Sequence, residues 1–357
     1  MKTKNKMIHI NFRKIFFFCA RLCFLLPFSG KAQDIHFSQF DETRLQLNPA
    51  AAGLQDNLRI TTNYKNQWQS IGSPYKTFAL SAETRLLKDK KHHLGIGIDA
   101  FSDKAGDANL KSNQINLSFS GIIKVSEYSF ISAGLMGGFA QRSITLDGLA
   151  WGNQYSGVRY DPSLPTGEVT SPQSFNFIDL GAGVEYSFGT SEMYISANNS
   201  RRLNIGVSIF HPQNPSYTFY GDNSQILHAK YVFHGDASIG IKNMNLVLKP
   251  SYIVFIQGAN KEVTPGLTFQ YVIQESSVYT GNKKPCAFSV GGFYRMKDAF
   301  IAVAKFEYSN YAIGLSYDVN VSQLKIVSKT RGGFEISLRF ISPSVFGKKS
   351  TGKSKFI

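Results

Sequence analysis

The stretch Ile178-Asp179-Leu180-Gly181-Ala182-Gly183-Val184-Glu185-Tyr186-Ser187-Phe188 decides the fold. Ile178, Leu180, Ala182, Val184, Tyr186 and Phe188 make one apolar face, and Asp179, Gly181, Gly183, Glu185 and Ser187 make the other. A strict period of two marks a strand, because successive side chains point to opposite faces. The run covers eleven residues; a soluble strand commonly has about 5–6, and a tilted strand crossing a bilayer needs roughly 9–11. The same alternation returns at Leu94-Ile96-Ile98-Ala100, Ile115-Leu117-Phe119, Leu203-Ile205-Val207-Ile209, Tyr311-Ile313-Leu315-Tyr317 and Phe334-Ile336-Leu338-Phe340.

The second face separates a soluble sandwich from a membrane barrel. A sandwich turns a charge-rich face to water. Here the polar face is Gly, Ser, Asn and Gln with a few acids and bases, which suits a hydrated lumen. Tyr and Phe collect at strand ends, as at Tyr186-Phe188, Phe293-Tyr294 and Tyr308-Tyr311, where a bilayer interface favours them. Fifteen alternating segments can be drawn, one of them at 193–199, and the even count of bacterial barrels makes fourteen the expected number. The architecture expected is all-β: a transmembrane antiparallel β-barrel of about 14 strands over 57–340, after a short N-terminal plug or periplasmic segment at 33–56. Gly281-Asn282 and Lys297-Asp298 read as hairpin turns, and the Pro-rich stretch Leu146–Asn176 and His211–Leu227 as large surface loops.

The ends of the chain carry most of its charge. Of a net +15, residues 1–32 hold seven bases and no acid and the last ten residues hold four Lys, leaving +4 for the body and no basic stripe for nucleic acid. Residues 1–32 read as a secretory signal: a basic start, an apolar run from Ile15 to Phe28 broken by Arg21, and Gly30-Lys31-Ala32 ahead of a mature start near Gln33. Residues 341–357 read as a basic disordered tail. Cys19 and Cys23 fall in the signal, so Cys286 alone leaves neither an intramolecular disulfide nor a Cys-based zinc site.

No catalytic constellation stands out. None of the seven His forms His-Glu-x-x-His, His92-His93 reads as a turn pair, and neither a Gly-x-Ser-x-Gly elbow nor a phosphate loop occurs. Asp179 and Glu185 lie six residues apart on one strand, about 20 Å, too far for an acid–base pair. They are expected to be lumen charges balanced by Arg or Lys across the barrel. No cofactor is expected.

Gln33-Asp34-Ile35-His36-Phe37-Ser38-Gln39-Phe40 and Leu47-Asn48-Pro49-Ala50-Ala51-Ala52-Gly53 resemble the opening of the PorP/SprF family of type IX secretion membrane proteins from Bacteroidetes. Tyr64-Lys65-Asn66-Gln67-Trp68, Gly72–Thr77, Phe101-Ser102-Asp103-Lys104-Ala105-Gly106-Asp107, Gly314–Val319 and Gly332–Leu338 follow that family's pattern in order. One departure is the 17 residues after Phe340, where many relatives end. The resemblance implies an outer-membrane barrel that works with type IX secretion components and helps export or retain a cargo protein, such as an adhesin, by recognising its C-terminal domain. Partner-binding candidates are Phe37, Gln39, Asn48, Pro49, Asn66, Gln67, Trp68, Asp103, Lys104 and Trp151. From the residues alone, Asn48-Pro49 opens a compact segment that either plugs the barrel, meets the periplasm or seals one mouth. Trp68 is an interfacial anchor or a partner hot spot. Asp103-Lys104 with Gly106-Asp107 is first a hairpin turn and second a contact site. The expected function is therefore a non-enzymatic barrel in contact with outer-membrane lipid and protein partners; the alternative is a transporter for a hydrophobic small molecule.

Overall fold

The computed structural model describes residues 34–88, 92–146, 149–167, 173–190, 200–220, 225–275, 284–323 and 325–342. The signal segment, the stretch 193–199, the Gly281-Asn282 turn and the tail from 343 lie outside the described residues. Fourteen strands follow one another: β1 Leu58–Gln67, β2 Tyr75–Lys88, β3 His92–Ala105, β4 Leu110–Lys124, β5 Ser129–Ser143, β6 Ser174–Thr190 and β7 Arg201–Phe210. The second half comprises β8 Lys230–Gly240, β9 Leu246–Gln257, β10 Asn260–Gln274, β11 Cys286–Arg295, β12 Ala299–Tyr308, β13 Tyr311–Asn320 and β14 Arg331–Ser342. Each pairs antiparallel with its sequence neighbours, and β1 closes on β14 from Leu58↔Ser342 to Gln67↔Gly333. Closure leaves no edge, so every strand finds hydrogen-bond partners on both sides, as backbone in hydrocarbon requires. β6 pairs directly with β7, so the barrel closes without a strand at 193–199.

The sidedness is that of a membrane barrel. On β6, Ile178, Leu180 and Val184 face outward at 68%, 46% and 54% exposure, while Asp179 and Glu185 point inward at 0% and 2%. The same inversion runs round the wall: Phe119, Leu135 and Leu338 face out, and Asn116, Ser132 and Glu335 face in. This outward apolar band gains its stability from lipid contact rather than from a protein core.

Three sequence expectations are corrected. Asp103 and Lys104 still belong to β3, and the turn begins at Gly106, whose φ of 65° suits glycine. His92-His93 opens β3 instead of forming a turn; the two side chains point to opposite faces because strand periodicity is already established there. The last strand runs two residues past 340 because Leu58 and Arg59 pair with Ser342 and Ile341. The Lys297-Asp298 turn is present, with Lys297 at φ 65°.

The two long connections, 144–173 and 211–229, both open at the mouth opposite Leu58 and Ser342. Connections at the other end include the short turns 125–128, 241–245 and 309–310. Bacterial barrels keep short turns in the periplasm and long loops outside. The loop-bearing mouth therefore faces the exterior.

Candidate functional site

The segment 34–57 lies inside the barrel and runs from the loop-bearing mouth to the end where β1 begins. At the outer end, the Asp34 backbone N–H donates to Gln257 Oε1 at 3.1 Å. The Asp34 carboxylate lies 2.7 Å from His211 Nε2 and 3.6 Å from Lys230 Nζ. His211 Nδ1 lies 2.6 Å from the carboxylate of Asp179, so one imidazole bridges two acids. Asp179 also accepts from Gln114 at 2.8 Å. The expected Arg or Lys across the barrel is thus replaced by a histidine from the β7–β8 loop, which reaches Asp179 from the neighbouring strand. Glu185 forms no Arg or Lys bridge among the described residues and keeps one unpaired carboxylate oxygen.

Further in, Glu335 of β14 receives two consecutive backbone N–H groups, from Ser38 at 2.7 Å and Gln39 at 3.1 Å, and Asn63 at 3.3 Å. Ser38 Oγ donates to Asp318 at 2.9 Å, and Gln39 Oε1 accepts from Ser337 Oγ at 2.7 Å. A fully buried carboxylate is costly unless its lone pairs are used. Here the incoming chain supplies the donors.

Glu42 meets three cations in the lumen. It lies 2.7 Å from Arg59, 3.1 Å from Lys305 and 2.9 Å from Arg339, with its side chain 2% exposed. Burial would raise its pKa, but Arg339, Lys305 and Arg59 hold it well below the ordinary carboxylate range. Arg339 in turn meets Glu307 at 3.0 Å, and Lys305 meets Asp41.

Beyond Glu42 the segment crosses the lumen against β4–β8. Asn48 caps the 3-10 turn Pro49–Ala51 by accepting the Ala50 N–H at 2.9 Å, and Pro49 occupies the first position, where no N–H is needed. The Asn48 amide donates to the Val184 carbonyl at 3.0 Å and lies 3.2 Å from His234 Nε2. Serines of the wall then satisfy the segment's carbonyls: Ser208 on Leu47, Ser132 on Ala50 and Ser120 on Ala52. Gly134 and Gly95 permit this approach; a Cβ on Gly134 would strike Pro49 and Ala50 backbone, and one on Gly95 the Ala52 carbonyl. Phe40 and Leu47 pack on Met136, Phe210, Val232, Ile253 and Phe293, an apolar cluster sealed between segment and wall.

The ten candidate residues divide into two groups. Phe37, Gln39, Asn48 and Pro49 are buried in the lumen and fasten the segment to the wall. Asn66, Gln67, Trp68, Asp103, Lys104 and Trp151 lie at the loop-bearing mouth. Trp68, in the left-handed region at φ 58°, donates its N–H to Gly332 at 2.8 Å and sets its ring 4.9 Å from Tyr75. Asp103 points inward and accepts from Thr77 at 2.7 Å, whereas Lys104 points outward. Trp151 heads a short turn in the 144–173 loop, its N–H donating to Gln154 at 3.1 Å. Sequence reading passed over Glu42, Glu335, Arg339 and His211. Alternation puts Glu335 and Arg339 on the inner face but names no partner for them.

The family comparison bears on this arrangement. Residues 29–340 match the family described as type IX secretion system membrane protein PorP/SprF. The chain belongs to that family. A comparison with curated proteins finds no match. Among solved structures, the PorP/SprF chain is similar to the CymD monoaromatic hydrocarbon channel, with 13% identity, TM-score 0.44, and 88% of this chain and 94% of that one covered. It is also similar to a Pseudomonas aeruginosa FadL homologue, at 11% identity and TM-score 0.43 over 82% and 92% of the two chains. BamA from Haemophilus ducreyi lacking POTRA domains 1–3 follows at 10% identity and TM-score 0.40, over 80% and 70%. This PorP/SprF protein is thus an outer-membrane component of type IX secretion, built as a fourteen-strand barrel.

The outer latch of this PorP/SprF barrel is pH-dependent. Burial lowers the pKa of His211, but the Asp34 carboxylate and the hydrogen bonds to Asp179 and Asp34 outweigh it and push the imidazole up to about 9. A raised histidine pKa stabilises fully below its ordinary 6.5 and loses that contribution as pH rises through about 9. Asp34, though buried, is held well below its ordinary 3.8 by His211 and Lys230, so its share is lost only in strong acid. The latch is complete between about pH 4 and 6.5 and weakens by up to about 3 kcal/mol by pH 10. Hydrogen exchange at residues 34–38 should accelerate between pH 8 and 10, after correction for intrinsic rates. His211→Gln should abolish that pH-dependent step.

Proposed function

We propose that this chain is a non-enzymatic component of type IX secretion that assists export or surface attachment of an adhesin-like cargo protein by binding the cargo's C-terminal domain at the loop-bearing mouth. One observation carries the reading. The lumen is occupied by the chain's own segment, while the outer loops display large apolar side chains to water: Val158 is 94% exposed, Ile326 78%, Val327 61% and Tyr155 60%. Apolar groups above the lipid band gain nothing from the bilayer, and exposure of this kind on the loops suits a protein partner. Asn66, Gln67, Trp68 and Trp151 share that mouth, with Trp68 supplying the rigid aromatic body of a hot spot. Phe37, Gln39, Asn48 and Pro49 serve the same function indirectly, by keeping the lumen shut and the mouth shaped.

Deleting 149–167, or replacing Trp68 with Ala, should reduce surface display of one cargo at least about tenfold, the effect of losing a hot-spot contact. Barrel folding and export of other type IX cargo should continue. Unchanged display of every cargo, or loss of all export from a folded variant, would falsify the division of labour. In liposomes the full chain should not accelerate entry of a hydrophobic small molecule, and facilitated entry would favour a transporter.

A further inference from the structure

The outward face of the barrel carries an ordered row of cations. Lys76 pairs in register with Lys104, and Lys104 with Lys111, on the consecutive strands β2, β3 and β4. All three are exposed. Paired residues share a face, and this face is the lipid side: Phe78 and Leu80 follow Lys76 outward on β2, Ile98 precedes Lys104 on β3, and Ile115 follows Lys111 on β4. Lys76 is the second residue of β2, Lys104 the next to last of β3 and Lys111 the second of β4. The row therefore caps the apolar band at the loop-bearing end, where hydrocarbon gives way to headgroups. With strands about 4.8 Å apart, the three lysines span roughly 10 Å.

Three adjacent like charges repel one another, and such an arrangement persists without cost only where an anion meets it. No ion-pair partner occurs for any of them among the described residues. The acids of the fourteen strands, including nearby Asp103, all face the lumen. Asp107 in the adjoining turn is engaged by Ser73. Neutral donors extend the row: Asn66 pairs with Lys76 in register, and Ser102 donates to Asn113 at 2.7 Å one step below.

We infer that Lys76, Lys104 and Lys111 form a binding site for the phosphate-bearing headgroup of an outer-leaflet lipid, whose acyl chains lie along Phe78, Leu80, Ile98 and Ile115. The site is a fixed lipid contact on the β2–β4 face, away from the lumen. It orders the membrane on one side of the barrel and leaves the remaining circumference to less specific lipid.

The test is native mass spectrometry of the full folded chain in detergent, titrated with diphosphorylated lipid A, with phosphate-free lipid A of the same acyl chains, and with inorganic phosphate as competitor. The folded wild type should bind the phosphorylated lipid at least about tenfold more tightly than the phosphate-free form. Lys76→Gln/Lys104→Gln/Lys111→Gln should remove that preference, while Lys297→Gln, in a turn at the same mouth, should keep it. Inorganic phosphate at equal concentration should not displace the lipid. Equal wild-type binding of the two lipids, retention of the preference in the triple variant, or displacement by free phosphate would each overturn the assignment. Should the triple variant fail to fold, the wild-type comparison and the phosphate competition still decide.

Discussion

Removing residues 34–56 from the processed chain is expected to yield a barrel that conducts ions in planar bilayers in discrete steps, where the full chain stays silent. The segment is bound to β4 through Ser120, β5 through Ser132, β7 through Ser208, β12 through Lys305 and β14 through Glu335 and Arg339. It therefore crosses the lumen instead of lining one wall. Barrel diameter grows with strand number, and fourteen strands exceed the roughly eight whose interior side chains alone can fill. The deletion touches neither strand pairing nor the lipid face, so the shortened barrel should still fold, shown by heat-dependent migration on a gel. Water entering the vacated lumen would hydrate Arg59, Lys305 and Arg339, so their charges do not prevent folding. A folded deletion variant as silent as the parent would show that the wall closes without the segment.

The barrel was legible in the sequence because its signal is local. Period-two alternation such as Ile178 to Phe188 is set by neighbours two residues apart, and lipid on one side with water on the other keeps it regular. The surplus fifteenth segment shows the limit: the sequence at 193–199 alternates as its neighbours do, yet β6 pairs directly with β7 and the fourteen described strands already close the barrel. The turn expected over Asp103-Lys104 and Gly106-Asp107 holds for its second half alone, for a similar reason. Asp103-Lys104 has turn-like composition, yet Thr77 and Lys76 pair with it, and the positive φ values that make the turn fall at Gly106 and Asn109. The interior was far less legible. Glu42 meets Arg339 across 297 positions, and Ser38 reaches Glu335 across the same separation. Nothing in either local sequence announces the other. Asn48 and Pro49 were noticed for their motif, but their contacts with Val184 and the β5 wall depend on closure of the whole barrel.

Replacing Glu42 with Ala, by contrast, should be more damaging than deleting the whole segment. The variant keeps the segment in the lumen, so the water that would rescue an empty barrel stays excluded, while Arg59, Lys305 and Arg339 lose the carboxylate they share. Removing one partner of a buried ion pair commonly costs about 3–5 kcal/mol, because the opposite charge is left uncompensated. Lys305 retains Asp41 and Arg339 retains Glu307, whereas the carboxylates left to Arg59 are Asp56 at 3.7 Å and Glu83 at 3.9 Å, beside neutral acceptors at the Asp41 carbonyl and Thr61 Oγ1. The loss should thus fall near the low end of that range and concentrate at Arg59. At about 3 kcal/mol, opening of the segment becomes on the order of 10²-fold more frequent. Trypsin reads this directly at Arg44, which is 19% exposed in its side chain and followed by the buried Leu45. Cleavage after Arg44 should accelerate by a similar factor in Glu42→Ala while the strands stay resistant. Adding Arg59→Met to Glu42→Ala should recover much of the protection, since the stranded charge is then absent. Equal cleavage of the single and double variants would place the cost in lost packing and not in the unpaired guanidinium.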